Sequence, residues 1–248
     1  MPEPARFTWL GHSTVLIELP GTRLLTDPLL RRRVLHLRRF APLAVEPLDV
    51  DGVLISHVHW DHLDVPSLGL LPRDAVVVVP RGAGVLLPRR RFPNVVEVAA
   101  GETVTIDGAD IRATDAAHRV AFWERRAAPP AIGFVVEAGQ SVYFAGDTDV
   151  FDGMAALAPH LDVALLPVAG WGPRLPAGHL DPAGAARALE LLRPEVAIPI
   201  HWGTYGPLWK RRATSTLAPP NEFRRFAAKI APDVDVRVLQ VGETTEVR

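Results

Sequence analysis

The chain contains 248 residues, of which 48% are hydrophobic and 22% are charged, so its composition is that of a folded globular protein. Lysine and arginine total 27 against 28 acidic residues, and the formal charge of −1 argues against a protein that coats nucleic acid. Cysteine is absent, which excludes disulfides, thiolate catalysis and cysteine-based metal sites. The nine histidines and the carboxylates are the remaining candidates for binding a transition metal.

In chain order, short β-branched runs bordered by turn residues predict many strands and few helices. The predicted strands are residues 7–10, 14–19, 23–26, 52–56, 75–79, 95–98, 103–106, 110–114, 132–137, 142–145, 163–167, 196–200 and 235–240. The predicted helices are residues 65–71, 150–157, 182–192 and 221–230. The clearest of them, 182–192, has Asp181 as its N-cap, Pro182 at its first position and Pro194 just beyond its end. This order of elements indicates a mixed α/β architecture.

No linker, short repeat of 20–50 residues or targeting segment is recognisable in the sequence. A chain of this length without a linker predicts a single domain over residues 1–248. The N-terminus lacks a basic stretch followed by an apolar core, and the apolar runs are far shorter than the ~20 residues of a membrane helix. We therefore expect a cytoplasmic protein without a transmembrane segment.

The most informative segment is HVHWDH at residues 57–62, which directly follows a predicted strand. Its potential metal ligands are His57, His59, Asp61 and His62. Residues 57, 59 and 61 share one side of an extended segment, because side chains alternate there. Imidazole and carboxylate ligands without thiolate suit Zn, Mn or Fe. The alternative is a solvated loop with incidental histidines, but the density of ligand types favours a metal site.

Further candidates follow later predicted strands, and they are needed because four ligands from one loop cannot complete two metal sites. His118, Asp147 and His201 each lie shortly after the end of a predicted strand. Loops at such ends are where sheet enzymes carry their chemistry. The carboxylate of Asp147 is able to bridge two metals, which a bridge of this kind would hold ~3.5–4 Å apart.

These residues together resemble the ligand set of the metallo-β-lactamase superfamily, over nearly the whole chain. The resemblance implies a first metal bound by His57, His59 and His118. It implies a second metal bound by Asp61, His62 and His201, with Asp147 as the bridge between the two. It also implies that Asp27 is a buried carboxylate behind the ligands.

The fold implied by the resemblance is a four-layer αββα sandwich built from two similar halves. A faint internal echo agrees with this expectation. Residues 24–27 resemble residues 143–147, and residues 50–55 resemble residues 161–166. Two similar halves meeting face to face would bring their polar loops to one edge.

Finer motifs resemble the branch of this superfamily that contains N-acyl-phosphatidylethanolamine phospholipase D, with ascorbate-6-phosphate lactonases as more distant relatives. The motifs are WLGHST at 9–14, TDP at 26–28, ISH at 55–57, FAGDT at 144–148, HLDP at 179–182 and IHWGT at 200–204. Within HLDP, His179 matches a family histidine near the metals. Residues 119–130 depart from the phospholipase sequence, and the cysteine ligand of class B1 β-lactamases is absent, which argues against an antibiotic-degrading role.

The resemblance predicts a binuclear metal-dependent hydrolase with two divalent ions, Zn²⁺ before Mn²⁺ or Fe, and a metal-bridging hydroxide. The expected catalytic residues are Asp147, His179 and Asp61, with the first two orienting or relaying a proton. Phosphodiesters, as small molecules or lipid-like compounds, are the expected substrates, and no nucleic-acid partner is expected. The alternatives are a lactone or other ester hydrolase, an iron-dependent redox enzyme and a non-catalytic metal-binding protein.

Several other residues carry weaker signals. A basic run that could hold a phosphate contains Arg31, Arg32, Arg33, Arg38 and Arg39. Since all but two of the 27 basic residues are arginine, a solvated face is the preferred interpretation. Residues that could line a pocket are Trp60, Trp171, Trp202 and Trp209, the first two above all. His12 is expected in a local hydrogen-bond network, and His36 and His160 at the surface.

Overall fold

A computed structural model describes residues 3–42, 48–118, 128–170, 175–209 and 217–248. The strands in these ranges are β1 (Ala5–Gly11), β2 (Thr14–Leu19), β3 (Thr22–Thr26), β4 (Arg33–Val34), β5 (Leu37–Arg39), β6 (Gly52–Leu54), β7 (Val76–Pro80), β8 (Val95–Val98), β9 (Thr103–Ile106), β10 (Ala109–Asp115), β11 (Ile132–Glu137), β12 (Ser141–Phe144), β13 (Val163–Pro167), β14 (Val196–Ile200), β15 (Tyr205–Pro207), β16 (Asp235–Val236) and β17 (Thr244–Val247). The α-helices are α1 (Val65–Leu68), α2 (Pro182–Leu192) and α3 (Ala218–Ile230), and short 3₁₀ helices cover Gly84–Leu86 and Asp152–Ala156.

Two seven-stranded sheets repeat one plan. The first has the order β17-β1-β2-β3-β6-β7-β8, and the second has the order β16-β14-β13-β12-β11-β10-β9. In each, an antiparallel meander is followed by parallel strands, which begin with the pair β3–β6 in the first sheet and β12–β13 in the second. Parallel strands that share a direction bring their carboxyl ends to one edge. The predicted similarity of the two halves therefore corresponds to a repeated sheet topology.

The sheets pack face to face, and helices or short segments cover their outer faces. Alternation along β7 shows this, because Val78 belongs to the core between the sheets whereas Val77 and Val79 belong to a separate core outside the first sheet. Leu68 of α1 lies in that outer core, and Leu189 of α2 and Phe223 of α3 pack with the second sheet. The layers are helical, sheet, sheet and helical, so the predicted αββα sandwich is confirmed.

A third, small sheet contains β4, β5 and β15. Strand β15 comes from the second half of the chain and pairs with β5 of the first half through the register Tyr205↔Arg39. The arginine-rich run of the first half shows no alternation of apolar and polar residues, so local pattern did not predict these strands. Strands β5 and β15 form because these two segments, which are distant in the sequence, pair with each other.

Other predicted boundaries differ from the structure for local reasons. The predicted helix 150–157 is a 3₁₀ helix over Asp152–Ala156, and the predicted helix 65–71 ends at Leu68, where Gly69 is the C-cap. The predicted strand 235–240 is reduced to β16, and β17 was not predicted. The predicted strand 52–56 ends at Leu54, because the backbone N–H of Ser56 is donated to the Asp27 carboxylate rather than to a strand. No helix in the described ranges is both long and apolar enough to cross a membrane.

Candidate metal centre

The loop 57–62 leaves the carboxyl end of β6 and is closed by a local turn before α1 begins. The N–H groups of His62 and Leu63 both donate to the carbonyl of His59, at 2.9 and 2.8 Å. Asp64 then caps α1 by accepting the N–H of Ser67 at 3.0 Å. The strand end and the capped helix thus hold a short loop in which four potential ligands follow one another.

A first group of ring nitrogens is formed by His57, His59 and His118. The Nε2 atom of His57 lies 2.8 Å from Nδ1 of His59, and Nε2 of His118 lies 3.3 Å from that same atom. His118 follows β10 of the second sheet, whereas the other two follow β6 of the first. The group therefore spans the two halves of the sandwich.

A second group contains Asp61, His62 and His201, all of them buried. Oδ2 of Asp61 lies 3.7 Å from Nε2 of His62 and 3.9 Å from Nε2 of His201. His201 follows β14 of the second sheet and has a φ angle of +62°. Ligand atoms from the two sheets meet here as they do in the first group.

Asp147 lies between the two groups. Its Oδ2 atom is 3.3 Å from Nε2 of His62, and its Oδ1 atom is 3.4 Å from Nε2 of His201. Asp147 also clusters with His118 of the first group and with His179, whose Nε2 atom lies 3.3 Å from Oδ2 of Asp147. All seven predicted ligands and His179 therefore lie in one continuous cluster.

Gly146 explains how Asp147 reaches this position. It has a φ angle of +60°, and a Cβ atom at this residue would overlap the side chain of Ser56 in the first sheet's loop. Only glycine combines this backbone conformation with so close an approach. The Ala-Gly-Asp sequence after β12 thus allows the Asp147 loop to pack directly against the loop that contains His57.

Hydrogen bonds behind the cluster orient its histidine rings. The Nδ1 atom of His57 lies 2.9 Å from Oγ of Ser56, and Nδ1 of His62 lies 2.7 Å from Oδ2 of Asp27. The Nδ1 atoms of two further rings face backbone carbonyls, His118 facing Gly178 at 3.0 Å and His201 facing Ala169 at 2.9 Å. Anchoring one ring nitrogen in this way presents the other to a metal, as is usual for histidine ligands.

Three buried atoms of the cluster make no hydrogen bond within the described ranges: Nε2 of His62, Nε2 of His201 and Oδ1 of Asp147. Buried polar atoms without partners are costly, and native proteins rarely leave them so. Here they face one another at distances of a few ångströms, next to further nitrogen and oxygen donors. Such a donor set fits a divalent cation, with which these atoms would find their partner.

The ionisation of the cluster also fits a cation. Burial, reinforced by neighbouring histidines, holds the pKa of His57 well below its usual range and lowers that of His201 to about 3. Burial would raise the pKa of Asp147, but the adjacent His201 and His62 lower it overall. Neutral imidazoles and ionised carboxylates are the forms that bind metals.

His62 is the exception among these rings. Burial would lower its pKa, but the surrounding carboxylates, Asp147 first, raise it well above the ordinary value. The carboxylates around His62 therefore favour a proton on its ring. A divalent cation bound between the same carboxylates would displace that proton, since a metal and a proton compete for Nε2.

Asp27 lies fully buried behind the cluster. Its carboxylate accepts the N–H of Ser56 at 2.7 Å and the hydroxyl of Ser56 at 2.5 Å, in addition to its contact with His62. It is positioned against the rings of the centre rather than serving as an ordinary turn residue. Sequence reasoning missed Ser56, whose only signal is its place next to His57.

His12 lies in the second group, where sequence reasoning did not place it. Its ring is buried, and its Nε2 atom is 3.2 Å from Oδ2 of Asp61. The hydrogen-bond network expected for it exists, but it connects residues far apart in the sequence. The signal that could have found it is the Gly-His turn that ends β1 beside the candidate ligands.

Two arginines of the basic run make structural contacts in the described ranges. Arg31 makes a bidentate pair with the buried Asp64, and Arg39 donates to the carbonyls of Leu10, Leu29 and Pro42. Arg32 and Arg33 are exposed, as the preferred interpretation expected. The basic run thus consists of structural and solvent-exposed residues.

The tryptophans that could line a pocket also differ from one another in burial. Trp202 is buried and stacks on Trp9 at 4.5 Å, and Trp60 packs against the core of the small third sheet. Trp209 is exposed, and Trp171 lies outside the described residues. His36 and His160 are exposed, as expected.

A small cavity of about 80 Å³ opens beside the first group. Besides His57, His59 and His118, its lining consists of Val58, Ala128, Pro129 and Ala131. The lining away from the histidines is apolar.

Comparison with known proteins agrees with this geometry. The profile of the Beta-lactamase superfamily domain matches residues 22–202, which is well over half of the chain. The chain belongs to the beta-lactamase superfamily. The superfamily match covers every predicted ligand and Asp27.

Relatives within the superfamily narrow this assignment. A metal-dependent hydrolase of Methanopyrus kandleri is 33% identical over an alignment that covers 97% of this chain and 99% of that protein. A metal-dependent hydrolase of Opitutus terrae is 35% identical over an alignment that covers 98% of this chain and 100% of that protein. A solved structure of a metallo hydrolase from the hyperthermophilic archaeon Ignicoccus hospitalis has a TM-score of 0.73 and 27% identity, with 99% of both chains covered. The chain is thus a member of a group of metal-dependent hydrolases with the metallo-β-lactamase fold.

Proposed function

We propose that this superfamily member is a binuclear metal-dependent hydrolase that acts on phosphodiesters. The observation that supports it best is the pair of ligand groups with Asp147 between them. One divalent ion would be held by His57, His59 and His118, and the other by Asp61, His62 and His201. Asp147 would contact both ions. Zn²⁺ is the proposed ion, with Mn²⁺ or Fe as the alternatives.

Two divalent ions in such a site supply a nucleophile from water near neutral pH and stabilise negative charge that develops on the substrate. The protein's own contribution is to hold the rings and carboxylates in place from behind, through Ser56, Asp27 and backbone carbonyls. Since the ligands come from both sheets, we propose that residues 1–248 act as one catalytic domain.

His179 is the proposed proton donor. Burial would lower its pKa, but the hydrogen bond and the charge of Asp147 raise it above the ordinary value. Its ring is only partly exposed, with Nε2 directed at Asp147. A protonated Nε2 at this edge can deliver a proton to the leaving oxygen, which is general acid catalysis.

The phosphodiester assignment is supported by motifs rather than by a charged pocket. The segments 9–14, 144–148 and 200–204 resemble the branch that contains N-acyl-phosphatidylethanolamine phospholipase D. The apolar cavity beside the first group would take an apolar part of the substrate.

The test combines metal analysis with a substrate panel. Protein purified without added metal is analysed for bound ions, and hydrolysis of bis(p-nitrophenyl) phosphate is compared with that of lactones and p-nitrophenyl esters. We expect two ions per chain and phosphodiester turnover, reduced more than about 100-fold by His59→Ala or Asp61→Ala, since even residues behind the ligands matter by 10–100-fold. Asp49→Ala, at an exposed carboxylate, is the matched control for Asp61→Ala and leaves turnover unchanged.

Other outcomes separate the alternatives. Turnover of lactones or esters without phosphodiesters would overturn the substrate class but keep the metal centre. Bound iron with an oxygen-dependent activity would overturn hydrolysis. Bound metal without turnover of any substrate in the panel would indicate a binding protein.

A further inference from the structure

His12 differs from the proposed ligands in the way its ring is held. The rings of His57, His62, His118 and His201 are each anchored at Nδ1, which leaves Nε2 toward the centre. His12 instead uses Nε2 to contact Asp61, and within the described ranges its Nδ1 atom makes no hydrogen bond. A carboxylate can only accept, so Nε2 of His12 carries the proton and donates it to Oδ2 of Asp61.

The backbone holds His12 in this position by three hydrogen bonds. Its N–H donates to Oγ1 of Thr204 at 2.7 Å, and its carbonyl accepts the N–H of His201 at 2.8 Å and the indole N–H of Trp9 at 2.9 Å. The φ angle of His12 is +56°, a conformation that costs a non-glycine residue energy unless its surroundings hold it. The ring is therefore placed by contacts with the loop that also contains His201.

The surroundings of Asp61 explain what this ring can do. The Oδ2 atom that accepts the His12 hydrogen bond is the oxygen that lies nearest Nε2 of His62 and of His201. The ring of His12 lies 4.1 Å from that of His201, so it closes one side of the group. The hydrogen bond from His12 thus contributes to holding the Asp61 carboxylate on the side of the two imidazoles.

We propose that His12 is a positioning residue of the second ion site, and that its Nε2–H holds the Asp61 carboxylate toward His62 and His201. This proposal rests on the proposed function, because it presupposes that Asp61 is a ligand. Partners that orient a ligand in this way typically change metal affinity 10–100-fold when removed. His12 itself binds no metal in this proposal.

Two variants of His12 distinguish the effect of losing its hydrogen bond to Asp61 from the effect of disturbing its backbone conformation. His12→Asn suits the left-handed backbone but is too short to reach Oδ2 of Asp61. His12→Gln carries an amide N–H at about the reach of the histidine Nε2. Asp49→Asn is the control, because it changes an exposed side chain that belongs to none of the groups of potential ligands in the described ranges.

Each metal-free protein is titrated with Zn²⁺ in competition with a chromophoric chelator, and thermal unfolding of the metal-free proteins is measured in parallel. We expect His12→Asn to weaken one of two binding steps about 10–100-fold, and His12→Gln to restore most of that loss. Co²⁺-loaded wild-type and His12→Gln proteins should have the same absorption spectrum, because the donors around the ion are unchanged.

Two results would overturn the proposal. Wild-type affinity at both steps in a folded His12→Asn protein would show that Asp61 needs no support. A His12→Gln protein that is as weak as His12→Asn and has an altered Co²⁺ spectrum would show that His12 is itself a ligand. A wild-type chain that binds no divalent ion would overturn both the proposed function and this inference. The two results above, in contrast, would overturn only the role of His12, because the wild-type chain would still bind its ions.

Discussion

Three of the six non-glycine residues with positive φ angles in the described ranges lie where the candidate ligands meet. His12, Asp27 and His201 have φ angles of +56°, +30° and +62°, although none of them is glycine. Such conformations cost about 1–3 kcal/mol each and persist only where the surroundings hold them. Hydrogen bonds to neighbouring loops hold all three here. At the scale of single residues, this backbone strain lowers the stability of the fold, and it directs particular side chains toward the candidate site.

Asp27 provides the residue-scale prediction. Asp27→Asn keeps the shape but leaves one acceptor oxygen where the carboxylate contacts two donors of Ser56 and Nδ1 of His62. We expect the free energy of unfolding of the metal-free protein to fall by about 1–3 kcal/mol, as measured by urea denaturation. Zn²⁺ affinity should fall about 10–100-fold, because His62 loses its anchor. Asp49→Asn, at an exposed carboxylate, is the control, and equal effects from both variants would contradict this role.

At the scale of elements, the small sheet of β4, β5 and β15 connects the two halves beside the candidate metal centre. Arg39 holds it in place by donating to three carbonyls and by lying 5.5 Å from the ring centre of Tyr205. One of these carbonyls belongs to Leu10, next to the Gly11-His12 turn. The guanidinium thus joins the small sheet to the turn that positions His12.

Arg39→Lys tests this connection. A lysine ammonium cannot reproduce the planar set of donors, so we expect the free energy of unfolding to fall by about 1–3 kcal/mol in chemical denaturation. Arg33→Lys, at an exposed residue of β4, should change it by less than about 0.5 kcal/mol. Equal stability of the two variants would mean that the contacts of Arg39 contribute nothing.

The start of α2 provides a second element-scale prediction. Asp181 accepts the N–H of Gly184 at 2.6 Å and so caps the helix that follows His179. We expect Asp181→Ala to lower the free energy of unfolding by about 1 kcal/mol, with Asp181→Asn close to wild type because asparagine also caps. Thermal and urea unfolding both report the difference. A loss of the same size in both variants would exclude capping as its cause.

At the scale of the whole molecule, the candidate centre lies across the junction of the two sheets. Four candidate ligands follow β6 of the first sheet, and three follow β10, β12 and β14 of the second. Direct hydrogen bonds reinforce the junction, with the N–H of Ile132 donating to Ser56 at 2.9 Å and that of His201 donating to His12. Ions bound there would connect the two halves of the chain.

Removing metal should therefore destabilise the whole fold. An ion present at 100 times its Kd adds about 2.7 kcal/mol, and for a protein of this size each kcal/mol shifts Tm by about 2–4 °C. We expect a chelator to lower Tm by about 5–10 °C in differential scanning calorimetry. The double variant Asp61→Ala/His201→Ala should show a much smaller chelator effect. An unchanged wild-type Tm would contradict a stabilising ion at the junction.

The sequence alone determined the local elements and the identity of the cluster. Alternation and turn residues predicted most strands, and the cap and prolines around 182–192 predicted α2 with its observed bounds. The HVHWDH segment and the three later candidates could be found because ligand types at strand ends are a local pattern.

Only the tertiary structure decided which residues distant in the sequence contact one another. His12 meets Thr204 across 192 residues, β5 pairs with β15 from the other half, and Arg39 is enclosed by carbonyls from separate loops. No local periodicity encodes such contacts, because their energy arises only when distant segments are packed together. The absence of cysteine limited the ligands to histidine and carboxylate, but packing decided which of the nine histidines face one another.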